Sequence, residues 1–126
     1  MKTTQKQAIS SIQSDSGRHH RFEAFELALS LIRSLRAPLA RIEQRDKGLA
    51  KQLREAAASV ALNLAEGRRR AGKDRLHHFR IAAGSAEESR ASLRVADAWG
   101  YVAEEAVTES LQYIDSILAI TWKLTH

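Results

Sequence analysis

A chain of 126 residues has the length of one domain and can bury a core of its own. It has no cysteine, which excludes disulfides and cysteine-ligated zinc and suits a reducing cytoplasm. No segment approaches the roughly 18 consecutive apolar residues of a membrane span, and the N-terminus has no apolar run of signal-peptide type. Twenty Lys and Arg against fifteen Asp and Glu leave a net charge of +5, which points to an anionic partner.

Residues 1–20 lack hydrophobic periodicity and are rich in Ser, Asp and Gly around Ser10–Gly17, so a disordered tail is expected there. The bundle proper is expected over residues 21–126. A first helix is predicted over 22–36, with Phe22, Phe25, Leu29 and Ile32 on one face and Ala24, Ala28, Leu31 and Leu35 widening it. Pro38 should end it, and a loop should run to Asp46, a credible N-cap. The second helix is expected over 47–66, facing inward with Leu49, Leu53, Ala56 or Ala57, Val60 and Leu64. Gly67 then follows as the residue that ends it. Asp74 should cap a third helix over 75–99, with Leu76, Phe79, Ala83, Ala86, Leu93 and Ala96 inward, and Gly100 should stop it. A fourth helix is expected over 104–124. Four amphipathic helices, no strand alternation and mostly short connections predict an all-α, antiparallel, up-down-up-down four-helix bundle.

The fourth helix carries two apolar stripes, Val107–Leu111–Ile114–Leu118–Trp122 and Tyr113–Ile117–Ile120–Leu124. Together they cover roughly 200° of circumference, whereas a helix facing only its own core needs little more than about 100°. The excess, shared by the first helix, predicts contacts between subunits of a homo-oligomer.

The turn between the second and third helices is strongly basic. From Arg68 to Arg80 there are six basic residues against the single acid Asp74, as much net positive charge as the entire chain carries. Arg68, Arg69, Arg70, Lys73 and Arg75 are therefore the candidate nucleic-acid-binding residues. Polar residues flank this turn at mirrored distances. Ala57 should oppose Gly84, bringing Ser59 toward Ser85 across a close contact of small residues. Arg54 falls near Glu87 or Glu88, and an Arg54–Glu88 salt bridge is the expected pairing that fixes register. Asn63 and Glu66 border the apolar face at the end of the second helix. There an acid is disfavoured by the helix dipole and should be compensated by the nearby arginines.

Gln52-Leu53-Arg54, Ala56, Ser59-Val60 and Asn63-Leu64-Ala65-Glu66-Gly67, followed by Arg70, Phe79, Ala83-Gly84-Ser85 and Glu88, resemble the bacterial four helix bundle protein family. That family is also called the 23S rRNA intervening-sequence protein or S23 family. The resemblance covers residues 20–122 and implies an antiparallel four-helix bundle assembled into a pentamer. A related group, the accessory proteins of diversity-generating retroelements, binds nucleic acid and a reverse transcriptase. Glu55 stands where a second basic residue is common in the family, and Ser89 where an apolar one is usual.

No catalytic residues are assigned. A di-iron bundle needs Glu-x-x-His pairs on inward faces, and the nearest motif here is Asp74-x-x-His77 at a helix start. No phosphate-binding glycine loop, Ser-His-Asp pattern or cysteine nucleophile is present, so no cofactor and no metal are expected. Two functions compete. One is a non-enzymatic, cytoplasmic oligomer that binds RNA or DNA with little sequence preference, since the turn has no interleaved aromatics for base stacking. The other is an adaptor whose partner is another protein, such as a nucleic-acid enzyme.

Overall fold

The computed structural model describes the backbone of residues 5–126 and the side chains of residues 17–126. Helix α1 spans Gln5–Arg45, α2 Lys47–Arg69, α3 Gly72–Ala98 and α4 Glu104–Thr125, and the described residues contain no strand. The helices form a closed circuit of neighbours: α1 packs on α2 and α4, and α3 packs on α2 and α4. Across α2 and α3, Ser59 meets Ser85, Asn63 meets His78 and Gly67 meets Phe79, so the two helices run in opposite directions. Tyr101, beyond the end of α3, donates to the Asp46 carboxylate at 3.4 Å. The α1–α2 and α3–α4 turns therefore share one end of the bundle, and the basic α2–α3 turn lies at the other.

Pro38 does not end the first helix. It is buried inside a continuous α1 that runs on to Arg45, and no loop precedes Asp46. A proline within a helix costs about 3 kcal/mol, because it lacks an N–H and crowds the carbonyl four residues earlier. Beyond it α1 buries Ile42 completely and Leu39 in part. Each fully buried aliphatic side chain contributes about 1.5–3 kcal/mol, so packing outweighs the local preference. The expected division at residue 20 also falls within α1, which begins at Gln5; residues 1–4 lie outside the described residues.

The inward face of α1 is the stripe read as its widening. Ala24, Ala28, Leu31, Leu35 and Ile42 are fully buried, while Phe25, Leu29 and Ile32 are half-buried and Phe22 is exposed. Alanines at the crossings let neighbouring helices approach closely, which phenylalanines would prevent in a densely packed interior. In α4 the buried line is Val107, Ser110, Ile114, Ile117 and Thr121, which runs between the two expected stripes. Its hydroxyls are satisfied: Ser110 pairs with Ser34 at 2.7 Å, and Thr121 donates to the Leu118 carbonyl at 3.1 Å. Leu111 and Leu118 are only half-buried, and Trp122 is 62% exposed.

Asp46 caps α2 as expected, its carboxylate accepting from the Leu49 N–H at 3.0 Å. Leu53, Ala56, Ala57, Val60 and Leu64 form the buried face of α2, with Leu49 half-buried. Gly67 is not the terminating residue: α2 continues through it to Arg69. Asp74 is not the cap of α3 either. That helix starts at Gly72, in the left-handed region with φ of 61°, and Asp74 sits in its first turn facing Arg70. Gly100, with φ of 79°, turns the chain after α3 as the sequence suggests.

Candidate nucleic-acid interface

The five basic residues singled out at the α2–α3 turn have different duties. Arg70 is held by carboxylates. Its Nε and Nη2 donate to Glu66 Oε1 at 3.0 and 2.9 Å, and Nη1 lies 3.5 Å from Asp74. The Glu66 hydrogen bond, and then the charges of Glu66 and Asp74, hold the Arg70 guanidinium above its ordinary pKa. Arg75 is half-buried, and its Nε donates to the Gly67 carbonyl at 3.2 Å, which also accepts from the Arg70 N–H at the end of α2. Arg69 is exposed and lies 3.7 Å from Glu66. Arg68 and Lys73 are exposed as well. Arg70 and Arg75 thus serve the turn itself, while Arg68, Arg69 and Lys73 face outward.

Glu66 receives the compensation its place at the helix end demands. The hydrogen bond from Arg70 comes first, followed by the charges of Arg70, Arg69 and His78, and together they hold its carboxyl below the usual carboxylate range.

Tertiary structure enlarges the patch with residues absent from the turn. Arg68 lies over two aromatic rings of α1, its guanidinium carbon 5.4 Å from the Phe22 centroid and 5.8 Å from that of Phe25. This contact brings Arg18 and Arg21 of α1 to the same end. Arg21 is pushed below the ordinary guanidinium pKa, first by burial and then by the like charges of Arg75, Arg18 and Arg68. Between these helices lies an open cleft of 460 Å³, lined by Arg18, His19, Arg21, Phe22 and Arg68. Glu23 is the nearby acid on α1, within 3.5 Å of His19 and 3.8 Å of His20. A first helix that starts at Phe22 leaves out Arg18 and Arg21, which α1 in fact carries. Their i, i+3 spacing, which puts both on one helical face, was the available signal. The expectation of a patch without aromatics is also corrected, because Phe22 is half exposed beside Arg68.

The polar residues set into the bundle fall into one chain and one failed pairing. Ser59 and Ser85 hydroxyls meet at 2.7 Å. Asn63 donates from Nδ2 to the Ser59 carbonyl at 3.0 Å and to its hydroxyl at 3.1 Å, and its Oδ1 lies 3.0 Å from His78 Nδ1. With the Asn63 amino group turned to Ser59, its oxygen is the atom that faces His78 Nδ1. This chain runs from the buried Ser85 out to the basic turn. Ser89, fully buried, donates to the Ser85 carbonyl at 2.9 Å and is satisfied there. The Arg54–Glu88 bridge does not form. Arg54 donates instead to Glu43 of α1 at 3.1 Å, and Glu88 is exposed. Gly84 is exposed too, with open space where a Cβ would stand, so the close approach of small residues does not occur there.

No group of three or more His, Asp or Glu among the described residues is arranged to hold a metal ion. Asp74 of the Asp74-x-x-His77 motif is engaged with Arg70. No helix among the described residues is long and apolar enough to cross a membrane.

Comparison with known proteins places this geometry in a family. A search of curated proteins found no match. Among solved structures, the fold is similar to a crystal structure from Bacteroides thetaiotaomicron, described as a protein of unknown function from the S23 ribosomal protein family. The TM-score is 0.69, at 16% sequence identity, over 84% of this chain and 97% of that one. At that identity the likeness is one of fold. The family model described as 23S rRNA-intervening sequence protein matches residues 21–123, which take in α2, α3, the basic turn, α1 from Arg21 onward and nearly all of α4. The chain belongs to the 23S rRNA-intervening sequence protein family.

Proposed function

We propose that this protein is a non-enzymatic, cytoplasmic homo-oligomer that binds RNA or DNA through the cationic end of the bundle, with little sequence preference. The observation that carries the reading is the convergence of Arg18 and Arg21 of α1 on Arg68 and Arg75 of α2 and α3. Like charges drawn together repel one another in the free protein, and a polyanion relieves that repulsion. Assembly is motivated by the large apolar residues that packing within one bundle leaves exposed, notably Leu62, Trp99 and Trp122. The pentamer implied by the family resemblance would repeat the patch five times. The competing reading, a protein-binding adaptor, draws on the same exposed apolar residues.

Filter binding across a salt series tests the proposal. Binding should weaken with a log–log slope of roughly −0.7 to −0.9 per phosphate neutralised. Replacing Arg68, Arg69 and Lys73 with serine should flatten that slope. Arg70 and Arg75 are kept because they stabilise the turn. Equal binding by the triple variant, or no binding by the wild type at low salt, leaves the adaptor reading in its place. Light scattering in parallel should give a mass several times the 14.0 kDa of one chain.

A further inference from the structure

We infer that the cleft between α1 and α2 receives an unpaired base against Phe22, so that the nucleic acid this protein selects is single-stranded. The inference rests on the proposed nucleic-acid reading and narrows it. Phe22 is 50% exposed on this cationic surface and is, among the described residues, the one apolar side chain lining the cleft beside Arg18, Arg21, Arg68 and His19. A protein helix docking in a groove needs a row of apolar positions at i, i+3, i+4 and i+7, whereas the described lining of this cleft has Phe22 alone among cationic and imidazole side chains. One aromatic ring among guanidinium groups matches a different ligand: a flat base joined to a phosphate. The cleft volume of 460 Å³ lies within the range of about 300–1,000 Å³ typical of small-ligand sites.

Arg68 strengthens the assignment. Its guanidinium is held over the Phe22 ring, 5.4 Å from the centroid and within cation–π range, so ring and cation together form one continuous surface. The guanidinium plane is itself a stacking surface for bases. The crowding of Arg21 by Arg75, Arg18 and Arg68 supplies further positive charge for the adjoining backbone. Phosphate contacts alone favour the duplex, whose charge density is higher, so a preference for single strands has to come from contact with base faces.

The test measures fluorescence anisotropy at low salt with three probes of equal length: oligothymidine, an abasic DNA strand and a thymidine–adenosine duplex. Wild type should bind oligothymidine about 5- to 150-fold more tightly than the abasic strand, the fold-change of one base–aromatic stack. Phe22→Ala should lose that preference and keep its affinity for the abasic strand, with its mass in light scattering and its helical circular dichroism unchanged. Phe22→Trp should retain the preference, and Arg68→Ser should weaken all three probes. If wild type binds the three probes equally, or if Phe22→Ala keeps its preference, the base-stacking inference fails while nucleic-acid binding stands. A changed mass for Phe22→Ala assigns the ring to a subunit contact and also overturns the inference. Absence of binding to every probe removes both readings together.

Discussion

Gly67 of α2 faces the ring of Phe79 on α3 so closely that a Cβ there would lie 2.5 Å from Phe79 Cε1. Phe79 is fully buried, and a densely packed interior gives a rigid ring little room to retreat. The glycine is thus required by contact between helices and not by a turn. Overpacking of this kind costs about 1–3 kcal/mol, against roughly 1 kcal/mol gained from alanine's better helix propensity. Gly67→Ala should therefore lower stability in chemical denaturation. Gly84→Ala, in open space on the exposed side of α3, should raise it by about 0.5–1 kcal/mol. If both substitutions stabilise, the Gly67–Phe79 contact is not as close as described.

The Arg54 pairing makes a second prediction. Arg54 and Glu43 are both about half exposed, and such pairs contribute about 0.2–1 kcal/mol. A double-mutant cycle on Arg54 and Glu43 should return a coupling in that range. The same cycle on Arg54 and Glu88 should return none within error. Measurable coupling to Glu88 would restore the register pairing suggested by the mirrored distances from the turn.

Glu66 predicts a dependence on pH. Its folded-state pKa lies below the ordinary 4.5, chiefly because Arg70 donates to its ionised form. In the window just below 4.5 the unfolded chain binds more protons than the folded one, so stability rises with pH there. The contribution of Glu66 is fully present above that window and is lost as pH falls through the lowered folded value. Melting temperatures measured across this range should fall on acidification, and less steeply for Glu66→Gln than for wild type. Parallel curves would show that Glu66 has no part in acid sensitivity.

The helix count, the Asp46 cap, the inward residues of α2 and the turn at Gly100 were legible in the sequence because each depends on neighbours within a few positions. The density of arginines after Gly67 likewise marked the cationic end without any structure. Tertiary packing decided what local rules could not. It carried α1 through Pro38, because burial of Ile42 lies across the bundle and is invisible to propensity. Of the two apolar stripes on α1 it chose the one whose alanines permit close helix approach, which left Phe22 in solvent. It split the basic cluster, tying Arg70 to Glu66 and Arg75 to a carbonyl, and it added Arg18 and Arg21 from some fifty residues away in the chain. Charge composition is a property of the chain, but which cations converge around an exposed ring depends on the register between helices, and only the packed core sets that register.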